Sequence, residues 1–415
     1  MTAVLFSNGN LLDPTQAELL EGYDVLVEDG VIKEVSDQRI KASSAQVIDA
    51  TGKTIMPGLI DLHGHVMATQ LNLSNQGALP DALVMMRAVP IMEGMLRRGF
   101  TTLRDAGGAG WGLKCAVEED TVIGPRLFIS GHALSQTGGH GDMRARSDHL
   151  ASISCACCFR AGDIGRVVDG VDNVRRAVRE EFLMGADQIK IMASGGVASP
   201  TDPIAAFGYS EEEIRAAVAE AAGRQSYVMA HSYTPEAIER AVRNGVRTIE
   251  HGNLINDHAA AVMAEMGAYV VPTLVTYEAL ANEGASYGLP ADSVAKIGTV
   301  RTAGLESLEI FRRAGVKMGF GTDLLGPSQR LQSDEFRIRA QVLSNFEVLQ
   351  SATLIGAEIL NMQGKLGQLV AGAIADVLVV DGNPYKDISC LLGQGEHIPV
   401  VMKSGRIYHD ELSGR

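Results

Sequence analysis

Six side chains have the types and spacing to hold metal ions: His63, His65, Lys190, His231, His251 and Asp323. His63 and His65 close the run Leu59-Ile60-Asp61-Leu62-His63-Gly64-His65. On a strand, side chains alternate, so Asp61, His63 and His65 share one face and two imidazoles can chelate one ion. A lone His-x-His is weak evidence, because two histidines near a turn also arise by chance. Lys190 sits in Gln188-Ile189-Lys190-Ile191-Met192, facing inward with isoleucines on the opposite face. Burial drives such an ammonium toward the neutral amine. That amine can take up carbon dioxide and become a carbamate, an anionic oxygen ligand able to bridge two metals, whereas an ammonium has no lone pair to offer. The plainer alternative is a lysine paired with a carboxylate elsewhere. His231 and His251 each end a predicted strand, and neutral imidazole suits zinc and similar metals; a structural role would serve either one alone. Asp323 closes Gly319-Phe320-Gly321-Thr322-Asp323, where a carboxylate can bind a metal and accept a proton from water, or simply cap a loop. Each signal has its bland reading. All of them at strand ends, in an order that runs round one mouth, imply a dinuclear metal site.

The elements that must position these groups alternate between strand and helix. The clearest stretch runs from 210 to 251. Ser210 and Glu213 form a capping box that opens a helix over 211–225. Tyr-Val-Met-Ala-His follows as a buried strand ending at His231. Thr234 caps a second helix with Pro235 at its first position, and the next strand ends at His251. Similar units lie at 95–105, 171–192 and 306–323. This rhythm predicts an α/β fold with a parallel barrel, whose active site lies at the C-terminal strand ends. The flanks differ. Ala3–Phe6, Tyr23–Glu28 and Val31–Val35 read as short strands between Asp-Gly and Asn-Gly turns, and 375–384 and 399–410 repeat the style. Segments at opposite ends of a chain can pair into one small β-domain.

The bulk numbers bound the partners. The chain has 415 residues, 46% hydrophobic and 21% charged, a globular composition. Its 46 glycines with only 5% aromatics suit many tight turns. A formal net charge of −14 argues against a nucleic-acid surface, which needs a basic stripe. The N-terminal run shows neither a signal peptide nor a membrane span, so a cytoplasmic protein without a membrane partner is expected. Of five cysteines, Cys155, Cys157 and Cys158 cluster, while Cys115 and Cys390 stand apart. Cys155 and Cys158 have zinc or redox spacing, but no second pair completes a site, and reduced loop thiols are the preferred reading.

The set of His63, His65, Lys190, His231, His251 and Asp323, with the phrases MPGLIDLHGH, GFTTLRDAGG, IKIMASGG, AHSY, IEHG and GTD, resembles the amidohydrolase superfamily over nearly the whole chain. It is most similar to the imidazolonepropionase-related branch of Xaa-Pro dipeptidases, carboxypeptidase-like enzymes and ochratoxinase-type amidases. The resemblance implies a distorted (β/α)8 TIM barrel over 58–365 and a small β-sandwich built from 1–57 and 366–415. It also implies homo-oligomers, an octamer among them. Two divalent metal ions, zinc by ligand preference, would share a Lys190 carboxylated at its side-chain nitrogen. His63, His65 and Asp323 would hold the more buried ion, and His231 and His251 the other. Lys190 favours this dinuclear branch over the mononuclear imidazolonepropionases. Non-catalytic relatives lose ligands, whereas all six are present here.

The reaction implied by this resemblance is cleavage of the amide bond of a dipeptide or N-acyl amino acid with a free carboxylate. Asp323 would carry the proton to the leaving nitrogen. Tyr233 would supply a hydrogen bond to the oxyanion, and His140 the same or a contact to the substrate carboxylate, with Arg144 and Arg146 competing for that contact. The stretch 135–147 and the loop of Ser194, Gly195, Gly196 and Val197 would wall the pocket, since glycines let backbone approach a ligand. The later loops around Val275, Tyr277, Leu324 and Leu325 carry few basic residues, so an apolar leaving residue such as Pro, Phe or Leu is expected, ochratoxin-like amides included. The alternative is a hydrolase of cyclic amides, lactones or xenobiotic esters with the same metals, and a third is a non-catalytic scaffold.

Overall fold

The structure is a computed structural model that describes residues 3–144, 160–197, 199, 202–286 and 291–413. Arg146 and the cysteines at 155, 157 and 158 lie outside the described residues. Cys115 and Cys390 are free thiols. The chain opens with β1 (Ala3–Leu11), β2 (Leu20–Glu28), β3 (Val31–Ser36), β4 (Gln46–Asp49) and β5 (Thr54–Pro57). The β2–β3 hairpin turns on Asp29-Gly30, with φ of 49° and 82°. Positive φ at both central residues is what a tight hairpin turn requires and what Asp-Gly supplies.

Parallel strands come next in the chain, most of them preceded by a helix. They are β6 (Leu59–Gly64), then α1 (Asp81–Arg97) and β7 (Phe100–Asp105), then α2 (Trp111–Glu118) and β8 (Arg126–Ile129). Next come β9 (Ala133–Ser135), β10 (Gly165–Val167), α3 (Val171–Leu183) and β11 (Ile189–Met192). After these come α4 (Glu211–Gly223), β12 (Val228–Ser232), α5 (Pro235–Arg243), β13 (Thr248–His251), α6 (Asp257–Glu265) and β14 (Tyr269–Val271). The long helices α7 (Leu274–Glu283) and α8 (Ala291–Ala314) come last before the segment 317–323. The strands form two parallel sheets, β6-β7-β8 and β10-β9-β11-β12-β13-β14, a TIM-barrel-like α/β arrangement. Ile189 and Ile191 are fully buried in the main core with helix residues such as Ile214 and Ala217. That burial turns Lys190, between them, to the opposite face.

Local sequence explains much of this. Glu213 donates its backbone N–H to the Ser210 hydroxyl at 3.3 Å, and its carboxylate accepts from the Ser210 N–H at 2.8 Å, completing the capping box on α4. Thr234 occupies the cap position of α5, but its hydroxyl makes no capping bond; Pro235 pre-sets the first helical φ instead. A regular last strand over 319–323 is also not what forms. The segment bridges its neighbours irregularly: Gly319 donates to Val270 at 2.8 Å, Leu62 to Phe320 at 2.8 Å and Asp323 to His63 at 2.7 Å, while Phe320 turns its own N–H to Ser351. Crowding accounts for the glycines. A Cβ at 319 would stand 2.4 Å from Leu62, and one at 321 only 2.4 Å from Val271 and 2.9 Å from His63.

The C-terminal β15 (Val377–Val380), β16 (Val400–Lys403) and β17 (Arg406–Asp410) return to the opening strands. The resulting eight-stranded sheet runs β17-β16-β15-β5-β1-β2-β3, with β4 on β1. Ile32 bonds to Ala373 and Gly372 to Ile32, both at 2.8 Å, which ties β3 to the segment before β15, and Ile32 is buried in a core with Phe6, Val25, Ile55 and Val377. Among the described residues no helix is long and apolar enough to cross a membrane.

One ion pair fastens this sheet to the parallel strands. Arg126 on β8 reaches Asp376 at 2.6 and 3.0 Å and the Ser404 hydroxyl at 2.7 Å. The Asp376 side chain is only 5% exposed. Arg126→Ala therefore leaves a buried carboxylate unpaired and is expected to cost about 3 kcal/mol or more. A urea midpoint equal to that of the parent chain would contradict the role.

Candidate metal centre

The six expected residues arrive at one end of the parallel strands. His63 is the penultimate residue of β6 and His65 the first beyond it; His251 ends β13. Register aligns the ends, with Met192 opposite His231 and Ser232 opposite His251. The rings pack closely, at centroid separations of 5.3 Å for His63 and His65, 5.0 Å for His63 and His251 and 4.6 Å for His231 and His251. Asp323 Oδ1 lies 3.4 Å from His63 Nε2 and 3.2 Å from His65 Nε2. His63, His251 and Asp323 bring donor atoms within 4.8 Å of one another, a candidate metal site. His251 and Asp323 have φ of 75° and 52°. Such left-handed backbone is strained for residues with a Cβ and persists where the surroundings over-determine it.

Outward hydrogen bonds decide which way each ring presents its lone pair. His63 Nδ1 donates to Glu250 Oε2 at 2.8 Å. His65 Nδ1 donates to the Gly107 carbonyl at 2.9 Å, and His231 Nε2 to the Gly195 carbonyl at 3.2 Å. Neither carbonyl nor carboxylate can give a proton, so a ring held this way in its neutral form keeps its other nitrogen as the acceptor. His251 Nδ1 shares a bond with the Thr273 hydroxyl at 2.7 Å. This is the outer support that metal-binding histidines need.

The electrostatics suit cations. Burial would raise the Glu250 carboxyl, but Arg104 and His63 hold it down to about 2. Burial lowers His231 and His251 well below the usual imidazole range, for His231 with help from the neighbouring histidines and Lys190 and for His251 against the pull of Asp323, so both stay neutral. Burial also resists ionisation of Asp323, yet His63 and its neighbours keep it a carboxylate. Lys190 is 1% exposed, and burial lowers its amine to about 8 against the pull of Glu250 and Asp323. Among the described residues no hydrogen bond or ion pair reaches that amine. The paired-lysine alternative therefore lacks its partner among the described residues, and the imidazole and carboxylate donors fit a divalent cation.

Several of the other expected residues lie beside these rings. Tyr233 packs against His231 at 4.8 Å and His251 at 5.3 Å, and its hydroxyl meets that of Tyr277 at 2.8 Å. Burial raises Tyr233, so it keeps its proton. His140 stacks on His231 at 4.2 Å and bonds through Nδ1 to the Ser199 hydroxyl at 2.7 Å. Gly195 and Gly196 lie against these rings, and a Cβ on Gly196 would sit 2.1 Å from His140. Val197 is buried beside Tyr233 and Tyr277. Arg144 forks onto Asp142 at 2.7 and 2.5 Å, which engages the guanidinium expected to compete for substrate. Val275 and Tyr277 belong to α7 rather than to a loop.

Three supporting residues were not anticipated. Glu250 is gripped by Arg104 at 2.9 and 3.0 Å and by Thr248 at 2.7 Å. Asp61 accepts from the His63 N–H at 3.0 Å and the Thr322 hydroxyl at 2.7 Å, tying both sides of the site together. Their signal was a charge inside a short strand whose every residue is buried, as in Thr-Ile-Glu-His and Phe-Thr-Thr-Leu-Arg-Asp. Glu250→Gln keeps the shape but releases the His63 tautomer, and metal affinity is expected to fall about 10–100-fold. Chelator competition measures it, and an unchanged affinity would contradict the role given to Glu250.

Comparison with known proteins agrees with this geometry. The amidohydrolase family model matches residues 54–408. Ochratoxinase of Aspergillus niger is 31% identical over 412 residues, covering 96% of this chain and 85% of that protein. A crystal structure of an amidohydrolase superposes with TM-score 0.98 at 68% identity, covering 99% of this chain and 100% of that one. A crystal structure of a prolidase complexed with N-methylphosphonate-L-proline gives TM-score 0.97 at 56% identity, again covering 99% and 100%. The chain belongs to the amidohydrolase family and is a hydrolytic enzyme acting on C–N bonds.

Proposed function

We propose that this enzyme is a dinuclear-metal dipeptidase or N-acyl-amino-acid amidase that cleaves the bond before a residue with a free carboxylate, proline first among the candidates. The observation that carries the reading is the convergence of His63, His65, His231, His251 and Asp323 around a buried, unpartnered Lys190 amine. The prolidase likeness supports proline, because that relative's ligand joins a phosphonate to L-proline. The ochratoxinase likeness keeps ochratoxin-like amides among the candidates. On this reading a (β/α)8 barrel over 58–365 carries the site, and a β-sandwich from 1–57 and 366–415 backs it. The enzyme is taken as a cytoplasmic homo-oligomer acting on small molecules.

Bound divalent cations would supply Lewis acidity, polarising the scissile carbonyl and acidifying a water. His63, His65 and Asp323 would hold one, His231 and His251 the other, with Lys190 as a carbamate between them. The protein's own groups do the rest. Asp323, kept as a carboxylate by its histidine neighbours, takes the proton from water and delivers it to the leaving nitrogen. Tyr233, which keeps its proton, donates to the oxygen on which negative charge develops, with Tyr277 orienting it. His140 and the Gly195-Gly196-Val197 backbone bound the side where the substrate carboxylate lies.

Two measurements test the reading. Xaa-Pro, Xaa-Phe and Xaa-Arg dipeptides compared with their C-terminal amides should show turnover only with the free carboxylate, fastest for the apolar leaving residues. Equal rates on acids and amides would rule out the carboxylate requirement. Lys190→Ala should abolish activity, and short-chain carboxylic acids should restore part of it by replacing the missing bridging oxygens; full activity in the unsupplemented variant would exclude the carbamate.

A further inference from the structure

The loop between β11 and α4 forms one wall of the mouth, and a lysine from a remote helix holds it. Lys296 on α8 directs Nζ at three backbone carbonyls of this loop: Gly196 at 3.0 Å, Ser199 at 3.2 Å and Asp202 at 2.8 Å. An ammonium has three N–H donors and no acceptor, so three carbonyls use its whole capacity. These carbonyls converge only when the loop is folded back on itself. The Asp202 carboxylate fixes the same fold from within, accepting from the Gly196 N–H at 2.9 Å and facing His140 Nδ1 at 3.6 Å.

We infer that Lys296 is a positioning residue that latches the β11–α4 loop and thereby sets the affinity for substrate, without touching substrate itself. The path to the site is short. The latched loop presents the Ser199 hydroxyl to His140, and Gly196 packs against the His140 ring. His140 in turn stacks on His231. The next residue along α8, Ile297, and Val300 one turn on are buried in the cluster that contains Val197, Tyr233 and Tyr277. One face of α8 thus holds both the loop and the tyrosine pair. Without the ammonium, the three carbonyls keep no hydrogen-bond donor among the described residues, and the loop loses the contact that selects its folded form.

The kinetic arm of the test rests on the proposed dipeptidase reading, and a second readout needs no substrate. Lys296→Met keeps the aliphatic length and removes the donors. KM for an Xaa-Pro dipeptide should rise about tenfold with kcat within about twofold, the pattern of lost positioning for binding. Metal content should be unchanged. Hydrogen exchange of the Gly195 and Gly196 backbone amides, bonded to Ala206 and Asp202, should accelerate in this variant, with α4 and β12 unaffected. Lys296→Arg, which keeps donors, should recover part of both effects. Unchanged exchange in the loop would overturn the latch, whatever the substrate proves to be. Faster exchange with no dipeptide turnover in the parent enzyme would support the latch and leave only the substrate reading at fault.

Discussion

The site depends on each imidazole spending its N–H outward so that its lone pair points inward. The bond from His63 to Glu250 is the strictest case, because both side chains are almost fully buried. Glu250 stays ionised there chiefly through Arg104, a fully buried guanidinium that also grips the Leu62 carbonyl at 2.6 Å. Burying such an ion pair costs several kcal/mol of lost hydration per ion and is recovered only with good geometry. The network from Arg104 to Glu250 to His63 has that geometry, and what it secures is orientation.

Strand periodicity makes the arrangement possible. On β13, Thr248 and Glu250 alternate with Ile249, so the polar pair enters the interior below the mouth while Ile249 joins the helix-facing core. His251 then leaves the strand with left-handed backbone, which turns its ring into the mouth rather than along the alternating pattern. Asp323 makes the same departure at the end of the irregular segment. Strain at both places indicates positions fixed by chemistry more than by local preference.

Much of this was legible in the sequence. His-x-His after an apolar run, Lys190 between isoleucines, and His231 and His251 at strand ends are readable from alternation and from the rule that function sits at the C-terminal ends of barrel strands. The hairpin at Asp29-Gly30 and the capping box at Ser210 were readable from turn and cap chemistry. The outer layer was not. Glu250, Arg104 and Asp61 are charges within buried strands, and only the fold shows which groups from elsewhere in the chain partner them. The segment ending at Asp323 reads as a strand, yet its glycines answer to crowding by Leu62, Val271 and His63, contacts no local pattern encodes. Lys296 lies about a hundred residues from the loop it binds, beyond the reach of any spacing rule.

Lys190 is the most demanding residue of the site, since among the described residues its buried amine has no hydrogen-bond or ion-pair partner, and the proposed carbamate would answer that. Carbon-13 NMR of the zinc-loaded enzyme prepared in 13C-bicarbonate tests this directly. A carbamate carbon signal of one per chain is predicted, absent from Lys190→Met prepared in the same way. A fully active, metal-loaded enzyme with no carbamate signal would contradict it.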